Sequence, residues 1–222
     1  MAPQSRPSPV NREVAVELSR VEVQFDRDGL VPCIAQDASS GEVLTLAWMS
    51  PESLELTERT GEVHYFSRSR QAIWKKGETS GNVQKVRQLR VDCDGDALVA
   101  LIDPAGPACH TGERTCFFRE LGSGEAPAPE AGEALAELQR TVARRAEQRP
   151  AGSYTVELLE DPGLAGEKVR EEAEEVTRAV REESDRRVAE EAADLLYHLT
   201  VLLESRDIGL ERVMEVLNER RS

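Results

Sequence analysis

The hydrophobic pattern of the chain changes near residue 122, and this change most constrains its fold. Residues 21–118 contain short runs of β-type residues separated by Gly, Pro and Asp. Residues 135–217 instead carry aliphatic side chains at helical spacing. Between them, residues 122–132 (GSGEAPAPEAG) lack any large apolar side chain, which is typical of a flexible linker. We therefore predict two domains, over residues 13–121 and 133–222.

The N-terminal domain is predicted to be mainly β, of the α+β class. The predicted strands are residues 21–25, 30–36, 43–48, 63–67, 83–91, 97–102 and 115–118. One helix interrupts them, with Ser50 as N-cap, Pro51 in its first turn, Leu54 on its apolar side and Gly61 as its stop. Residues 1–12 are rich in Pro and Ser and are predicted to be a disordered leader.

The C-terminal domain is predicted to be all-α, with four amphipathic helices. Their apolar positions are Leu135, Leu138 and Val142; Val169, Ala173, Val176 and Val180; Val188, Ala192, Leu195, Leu199 and Leu202; and Leu210, Val213 and Leu217. Asp161 and Pro162 begin the second helix, Asp185 is the predicted N-cap of the third, and Gly209 separates the third from the fourth.

Composition excludes several classes of protein. The 222 residues include 28 Lys and Arg against 42 Asp and Glu, and a net charge of −14 argues against wrapping duplex DNA or lying on anionic lipid. The longest apolar stretch, residues 195–203, is far shorter than the ~20 residues of a membrane-spanning helix, and the N-terminus has no signal-peptide pattern. Four cysteines are too few for a disulfide framework. We expect a cytoplasmic protein without nucleic-acid or membrane partners.

Two pairs of acidic residues lie at helical spacing in the C-terminal half. Glu172 and Glu175 are three apart on one predicted helix, and Glu191 and Asp194 are three apart on the next. Four convergent carboxylates would suit Mg²⁺, which takes carboxylates together with substrate phosphates, so phosphoanhydride hydrolysis would follow.

The alternative for such residues is a solvated helix face, and we adopt it for Glu171, Glu174, Glu182 and Glu183. Asp194 differs because it lies in an apolar run, residues 192–203, where a carboxylate is costly unless it is paired or bound to metal. His198, one turn later, could donate to Asp194, but we expect it to be a core histidine.

Three cysteines in the N-terminal half suggest a zinc site. Cys93, Cys109 and Cys116 lack the C-x-x-C pairs of structural zinc ribbons. Three ligands would leave Zn²⁺ one open position for a water whose pKa can fall to near ~7, which is typical of catalytic zinc. His110 or His64 as a fourth ligand would instead make the site structural. Cys33, in an apolar strand, is predicted to be a core residue.

An Asp-rich segment surrounds Cys93. In DCDGD, residues 92–96, strand alternation would place Asp92, Asp94 and Asp96 on one face, where three carboxylates fit Mg²⁺. The alternative is an Asp/Gly turn between two strands.

Positive charge is concentrated in residues 68–90, which contain seven basic side chains and one acid, Glu78. Ser, Thr and Gly donors beside Arg and Lys could cradle a phosphate, and Trp74 could stack on a base. A nucleic-acid stripe is the alternative, but only one aromatic residue lies among these charges. The predicted substrate-binding residues here are Arg68, Ser69, Arg70, Trp74, Lys75, Lys76, Glu78, Thr79 and Ser80.

The C-terminal motifs SYTVELL (153–159), KVREEAEEV (168–176) and EEAADLLYHLTVLL (190–203) resemble the phosphoribosyl-ATP pyrophosphohydrolases of histidine biosynthesis, an all-α branch of the MazG-like family. The resemblance covers nearly all of residues 133–222. It implies that Glu172, Glu175, Glu191 and Asp194 bind Mg²⁺ and act in catalysis. Lys168 could meet a phosphate of the substrate, or could simply be a solvated lysine.

The N-terminal motifs HYFSRSRQAIWKKGETSGNVQKV (64–86), DCDGDAL (92–98) and GPACHTGERTCFFR (106–119) resemble phosphoribosyl-AMP cyclohydrolase. The resemblance implies zinc on Cys93, Cys109 and Cys116, magnesium on Asp92, Asp94 and Asp96, and a homodimer whose zinc site uses cysteines of both subunits. Residue 82 is Asn where some relatives have His, so no role passes to it. From its position beside Cys109 we expect His110 to transfer the proton.

Together the two resemblances predict the second and third steps of histidine biosynthesis, acting on phosphoribosyl-ATP and then on phosphoribosyl-AMP. One alternative is a MazG-like enzyme that clears ordinary nucleotides and carries a noncatalytic zinc domain. Another is a nucleotide-binding or scaffolding module in which zinc only holds the fold.

Overall fold

The computed structural model describes residues 22–127 and 130–221. The predicted leader, residues 1–12, lies outside the described residues. Within these ranges the N-terminal part is one six-stranded sheet with one helix and the C-terminal part has helices and no strand, so the predicted fold class of each half is confirmed. None of the described helices has the length and apolar character needed to span a membrane.

The sheet has the strand order β4-β3-β2-β1-β6-β5. Its strands are β1 (Val31–Asp37), β2 (Val43–Met49), β3 (His64–Ser67), β4 (Ala72–Lys75), β5 (Gln84–Val91) and β6 (Leu98–Pro104). Among the described strands, β1 and β6 pair in parallel, with Cys33 opposite Leu98, and the other neighbouring strands pair antiparallel. Strand β1 buries every second residue, from Val31 to Asp37, as expected for a strand with one face on the core.

Helix α1 (Pro51–Thr60) lies between β2 and β3 and has the predicted ends. Ser50 is its N-cap: the Ser50 hydroxyl accepts from the Ser53 backbone N–H, and the Ser53 hydroxyl accepts from the Ser50 backbone N–H. Gly61 ends the helix at φ +68°, a conformation that glycine adopts without steric cost. Leu54 packs against the sheet, so α1 covers part of the core.

The helical half contains α2 (Ala134–Gln148), α3 (Tyr154–Glu160), α4 (Pro162–Glu182), α5 (Asp185–Glu204) and α6 (Leu210–Glu219), after a 3₁₀ turn at Ala131–Glu133. The sequence predicted four helices and missed α3, whose seven residues are too few to show a clear period. Ser184, not Asp185, is the N-cap of α5, because its hydroxyl accepts from the Arg187 backbone.

Three strand predictions also need correction. The described part of residues 21–25 and residues 115–118 form no strand, although each makes a backbone bond to the sheet region: Gln24 N–H donates to Gly95 O at 2.7 Å and Cys116 N–H to Leu44 O at 2.7 Å. Strand β4 was missed because basic residues surround its short apolar centre. One isolated backbone hydrogen bond anchors a segment to the sheet but does not make the ladder of hydrogen bonds that defines a strand.

Candidate active sites

Two of the three predicted zinc ligands meet in the loop after β6. Ala108 N–H donates to Arg114 O at 2.9 Å and Cys109 N–H donates to Glu113 O at 3.1 Å, which closes residues 108–114 into a tight loop. The Cys116 bond to Leu44 then fixes the end of the loop against β2. The loop brings Cys109 and Cys116 close enough that each side chain shifts the pKa of the other.

The surroundings of this pair favour ionisation of Cys109 over ionisation of Cys116. Thr111 Oγ1 donates to Cys109 Sγ at 3.0 Å, and this bond is the largest cause of a lowered pKa of Cys109. Desolvation, and then the neighbouring Cys109, raise the pKa of Cys116, while the charge of Lys76 opposes that rise. Because zinc binds the thiolate form, a cysteine pair with a stabilised thiolate and a nearby cation fits a metal site.

Lys76 occupies an unexpected position. Its side chain was predicted to face substrate, but the residue is only 9% exposed and its Nζ donates to Ala108 O at 2.8 Å. The ammonium thus lies beneath the loop that carries Cys109. The sequence showed only a lysine in a basic run, and no local pattern distinguishes a buried lysine from a solvated one.

The third cysteine lies apart from this pair. Cys93 is exposed in the turn between β5 and β6, with Sγ 4.0 Å from Asp94 Oδ1. Over residues 22–127 and 130–221, no third His, Cys, Asp or Glu joins Cys109 and Cys116 in a compact ligand group. His110 Nδ1 is 3.9 Å from Cys109 Sγ, whereas His64 Nδ1 is 2.8 Å from the Glu62 carbonyl.

The three aspartates do come together, but not by strand alternation. Residues 92–97 form the turn after β5, and Gly95 and Ala97 N–H donate to Asp92 Oδ1 at 2.9 and 3.2 Å. Ligand oxygens of Asp92, Asp94 and Asp96 lie within 4.8 Å of one another, and all three residues are exposed. The predicted strand alternation over residues 92–96 is therefore wrong and the alternative, an Asp/Gly turn, is what forms, while the three aspartates still come together.

The same turn lowers the pKa of one of its carboxyl groups and raises the pKa of another. Although partial desolvation opposes it, the backbone bonds from Ala97 and Gly95 lower the pKa of Asp92. The hydrogen bond with Asp92 and the charge of Asp94 raise the pKa of Asp96. A close group of carboxylates that repel one another favours a bound cation.

Most of the basic segment flanks the sheet edge at β4. The exposed members of the predicted substrate-binding set are Arg68, Ser69, Arg70, Glu78, Thr79 and Ser80. The Arg68 guanidinium lies 4.6 Å from the Trp48 ring centre, and Lys75 pairs with Glu62. Trp74 packs against Tyr65 with ring centres 5.4 Å apart and is partly buried, so its stacking on a base remains a prediction.

Three carboxylates converge in the helical half. Oxygens of Glu172 and Glu175 on α4 and of Glu191 on α5 lie within 4.8 Å of one another. Their side chains are 12%, 32% and 3% exposed, respectively. Arg187, one turn before Glu191, pairs with its carboxylate, and His198 Nδ1 lies 3.5 Å from Glu172 Oε1. Convergent carboxylates with so little exposure fit a divalent cation.

The fourth predicted ligand lies differently from what its sequence context suggested. Asp194 is exposed, and the compact group within the described residues contains three carboxylates without it. The buried carboxylate of α5 is Glu191, one turn earlier. An apolar run does not bury every residue of a helix, because successive positions turn through about 100° and some face solvent.

Lys168 lies next to this group. Its Nζ donates to Glu171 Oε2 at 2.6 Å, and this bond raises the pKa of Lys168. Arg187 was not predicted as part of the site, although its i,i+4 spacing to Glu191 is a pattern that could have identified it. Thr111, whose hydroxyl donates to Cys109 Sγ, was also not predicted as part of a site.

Comparisons with known proteins agree with this division. A family model for phosphoribosyl-AMP cyclohydrolase matches residues 45–118, and one for phosphoribosyl-ATP pyrophosphohydrolase matches residues 135–221. The cyclohydrolases are metal-dependent enzymes, in keeping with the ligand groups.

Curated relatives match along nearly their whole length. The chain is 48% identical to the histidine biosynthesis bifunctional protein HisIE of Bacillus subtilis, over 90% of this chain and 96% of that protein. The proteins of the same name from Thermus thermophilus and Pyrococcus furiosus are 46% and 48% identical, over 89% and 87% of this chain and 92% of each relative. The chain therefore belongs to the family of bifunctional hydrolases of histidine biosynthesis, with a phosphoribosyl-AMP cyclohydrolase domain followed by a phosphoribosyl-ATP pyrophosphohydrolase domain.

Proposed function

We propose that the chain performs two hydrolyses in series at two separate metal sites. Phosphoribosyl-ATP loses pyrophosphate in the helical half, and the adenine ring of the resulting phosphoribosyl-AMP is opened in the β-rich half. The observation that carries the proposal is a cluster of three carboxylates among the helices together with a pair of neighbouring cysteines beside the sheet. We assign residues 13–121 to the cyclohydrolase domain, 122–132 to the linker and 133–222 to the pyrophosphohydrolase domain.

In the helical domain, Glu172, Glu175 and Glu191 would hold Mg²⁺, with Asp194 completing the set from the solvent side. Mg²⁺ bound there would neutralise phosphate charge and help to activate water for attack on the α–β phosphoanhydride. Lys168 would exchange its pairing with Glu171 for a substrate phosphate, since its ammonium is already held at the edge of the group.

In the β-rich domain, Cys109 and Cys116 of one subunit would bind Zn²⁺ together with the partner subunit's Cys93. The isolation of Cys93 from the pair within one chain supports this sharing, and hence a homodimer. Zn²⁺ held by three cysteines would supply a nucleophilic water near neutral pH. Asp92, Asp94 and Asp96 would bind Mg²⁺, and the basic segment would hold the substrate phosphates.

The ring opening needs a proton at N1. The N1-linked phosphoribosyl group makes C6 electron-poor, so water adds at C6 and the N1–C6 bond breaks. His110 is our candidate for moving the proton, because it is exposed beside Cys109. General acid–base groups contribute about 10²–10⁴-fold, so His110→Gln should lower cyclohydrolase turnover at least ~10-fold. A smaller loss would remove His110 from the mechanism.

Product analysis tests the two-site proposal directly. The purified chain is incubated with phosphoribosyl-ATP, Mg²⁺ and Zn²⁺, and products are identified by mass spectrometry. Wild type should release pyrophosphate and the ring-opened nucleotide. Glu191→Gln should leave phosphoribosyl-ATP intact, and Cys109→Ala should stop at phosphoribosyl-AMP. Cys33→Ala is the matched control, because Cys33 is buried in the core and belongs to neither proposed ligand set, and this variant should still give the final product.

Three results would contradict the proposal. Wild type stopping at phosphoribosyl-AMP would make the zinc domain a binding module. Cleavage of ordinary nucleoside triphosphates with phosphoribosyl-ATP untouched would favour a nucleotide-clearing enzyme. Loss of β structure by circular dichroism when zinc is chelated would show that the metal holds the fold.

All four cysteines are free thiols, which fits a reducing compartment such as the cytoplasm. We propose this location for the enzyme. Mass spectrometry of unreduced protein from whole-cell lysate should find no disulfide, and a stable disulfide would argue for another compartment.

A further inference from the structure

His198 is a buried polar residue to which the proposed function gives no role. It lies on α5 with 6% of its surface exposed, between the rings of Tyr154 and Tyr197, whose centres are 6.1 and 5.0 Å from its own. Both aromatic contacts are edge-to-face, which fixes the plane of the imidazole. A ring held in this way presents its two nitrogens in defined directions.

The Nδ1 atom of the ring faces the cluster formed by the carboxylates of Glu172, Glu175 and Glu191. Nδ1 is 3.0 Å from the Asp194 carbonyl and 3.5 Å from Glu172 Oε1. Both neighbours are acceptors, so Nδ1 must carry the proton for either contact to be favourable. One N–H is then shared between a fixed backbone oxygen and a movable carboxylate oxygen.

The contact of Nε2 explains why the proton lies on Nδ1. Nε2 is 3.4 Å from Tyr154 Oη, which can donate its hydroxyl proton to an unprotonated ring nitrogen. Tyr154 therefore favours the form of His198 with the proton on Nδ1. The arrangement runs from a tyrosine hydroxyl through an imidazole to a carboxylate that lies in the ligand group.

We infer that His198 holds the Glu172 carboxylate in its metal-binding position, and that Tyr154 fixes the tautomer this requires. His198 is thus a positioning residue for pyrophosphate release, acting through Glu172 and not on the substrate. Donors that orient ligating groups typically change metal affinity or activity about 10- to 100-fold when they are removed. The inference rests on the proposed Mg²⁺ site of the helical domain.

Two replacements of similar polarity separate positioning from packing. The amide nitrogen of Asn is three bonds from Cα, as Nδ1 is, so His198→Asn keeps a donor toward Asp194 and Glu172. The amide nitrogen of Gln is four bonds away, as Nε2 is, so His198→Gln places its donor toward Tyr154. Gln is also closer to His in length, so a purely structural role would be served better by Gln.

The experiment uses the full chain. Mg²⁺ binding to the helical site is measured by calorimetry, as the part of the signal that Glu175→Gln removes, and pyrophosphate release is measured as a function of Mg²⁺. We expect His198→Gln to weaken Mg²⁺ binding and to lower kcat by about 10- to 100-fold, and His198→Asn to recover most of both. Tyr154→Phe should shift Mg²⁺ binding in the same direction by a smaller factor, and it serves where a His198 variant is poorly folded. Ring opening of supplied phosphoribosyl-AMP, at the other site of the same chain, should stay unchanged in every variant.

The outcomes distinguish this inference from the proposed function. Glu175→Gln reports on the metal site itself, because Glu175 belongs to the ligand group. Unchanged Mg²⁺ binding in Glu175→Gln would overturn the site and the inference together. Loss of binding in Glu175→Gln, with equal binding by the Asn and Gln variants of His198, would overturn the inference alone.

Discussion

Replacing Glu175 by Gln should stabilise the metal-free protein and remove the stabilisation that Mg²⁺ gives at the helical site. The ligand oxygens of Glu175, Glu172 and Glu191 lie within 4.8 Å of one another. At that separation two charges repel by ~0.9 kcal/mol in a water-like dielectric and by ~3.5 kcal/mol at an effective value of ~20. Because the Glu175 side chain is 32% exposed, the lower figure applies, and relief of two repulsions gives about 2 kcal/mol.

One favourable contact is lost with the charge. Arg178 lies 3.6 Å from Glu175 and is half exposed, so this pair contributes no more than about 0.5 kcal/mol. We therefore expect the metal-free variant to gain about 1.5 kcal/mol, or roughly 3–6 °C in Tm. Mg²⁺ at a hundred times the Kd of the helical site should add about 2.7 kcal/mol to wild type through that site, and the variant should lose this contribution.

Thermal unfolding with EDTA and with Mg²⁺ measures both effects. Glu174→Gln is the control, because it removes the same charge from an exposed neighbour on α4 that lies outside the ligand group. The reasoning fails if Glu175→Gln lowers the metal-free Tm. It also fails if Mg²⁺ stabilises Glu175→Gln as strongly as wild type.

Three further predictions concern the β-rich half. Burial opposes ionisation of Asp37, but hydrogen bonds from the following turn and a neighbouring guanidinium hold its pKa below the usual 3.8. The ionised form therefore stabilises the fold above about pH 4, and this stabilisation is lost as pH falls through the lower pKa of the folded state. In urea unfolding at pH 7, Asp37→Asn should have a free energy of unfolding about 1–3 kcal/mol below that of wild type, and the difference should vanish in acid. Burial raises the pKa of Cys33 to about 12, so iodoacetamide at pH 8 should label exposed Cys93 and spare Cys33, and native labelling of Cys33 would refute this. Gly77→Ala would bring Cβ to 2.4 Å from backbone at φ +84°, and its Tm should fall well below that of Gly81→Ala, which has φ +78° but open space; equal Tm values would contradict the steric argument.

Much of the fold follows from local pattern. The alternation in residues 30–36 predicts β1, and Ser50 and Gly61 predict both ends of α1, because caps and alternation depend on neighbours in the chain. The failures also have local causes. Helix α3 is too short to show a period, and β4 lies within a run of charge.

Candidate ligand residues could be found by spacing, but spacing does not decide which of them meet. Glu191 and Asp194 share a helix and a motif, yet one is buried in the ligand group and the other faces solvent. That difference depends on how α4 packs against α5, since the direction of each side chain is set by the contact between helices.

The sequence by itself determined the two-part architecture, the residue types of both ligand groups and the family. Only the tertiary structure decided that Cys93 lies apart from Cys109 and that Lys76 lies buried beneath the cysteine loop. It alone brought His198 to Glu172, 26 positions away in the chain. Periodicity and motifs depend on neighbours along the chain, whereas burial, donors and charge at a site come from segments that meet only when the chain folds.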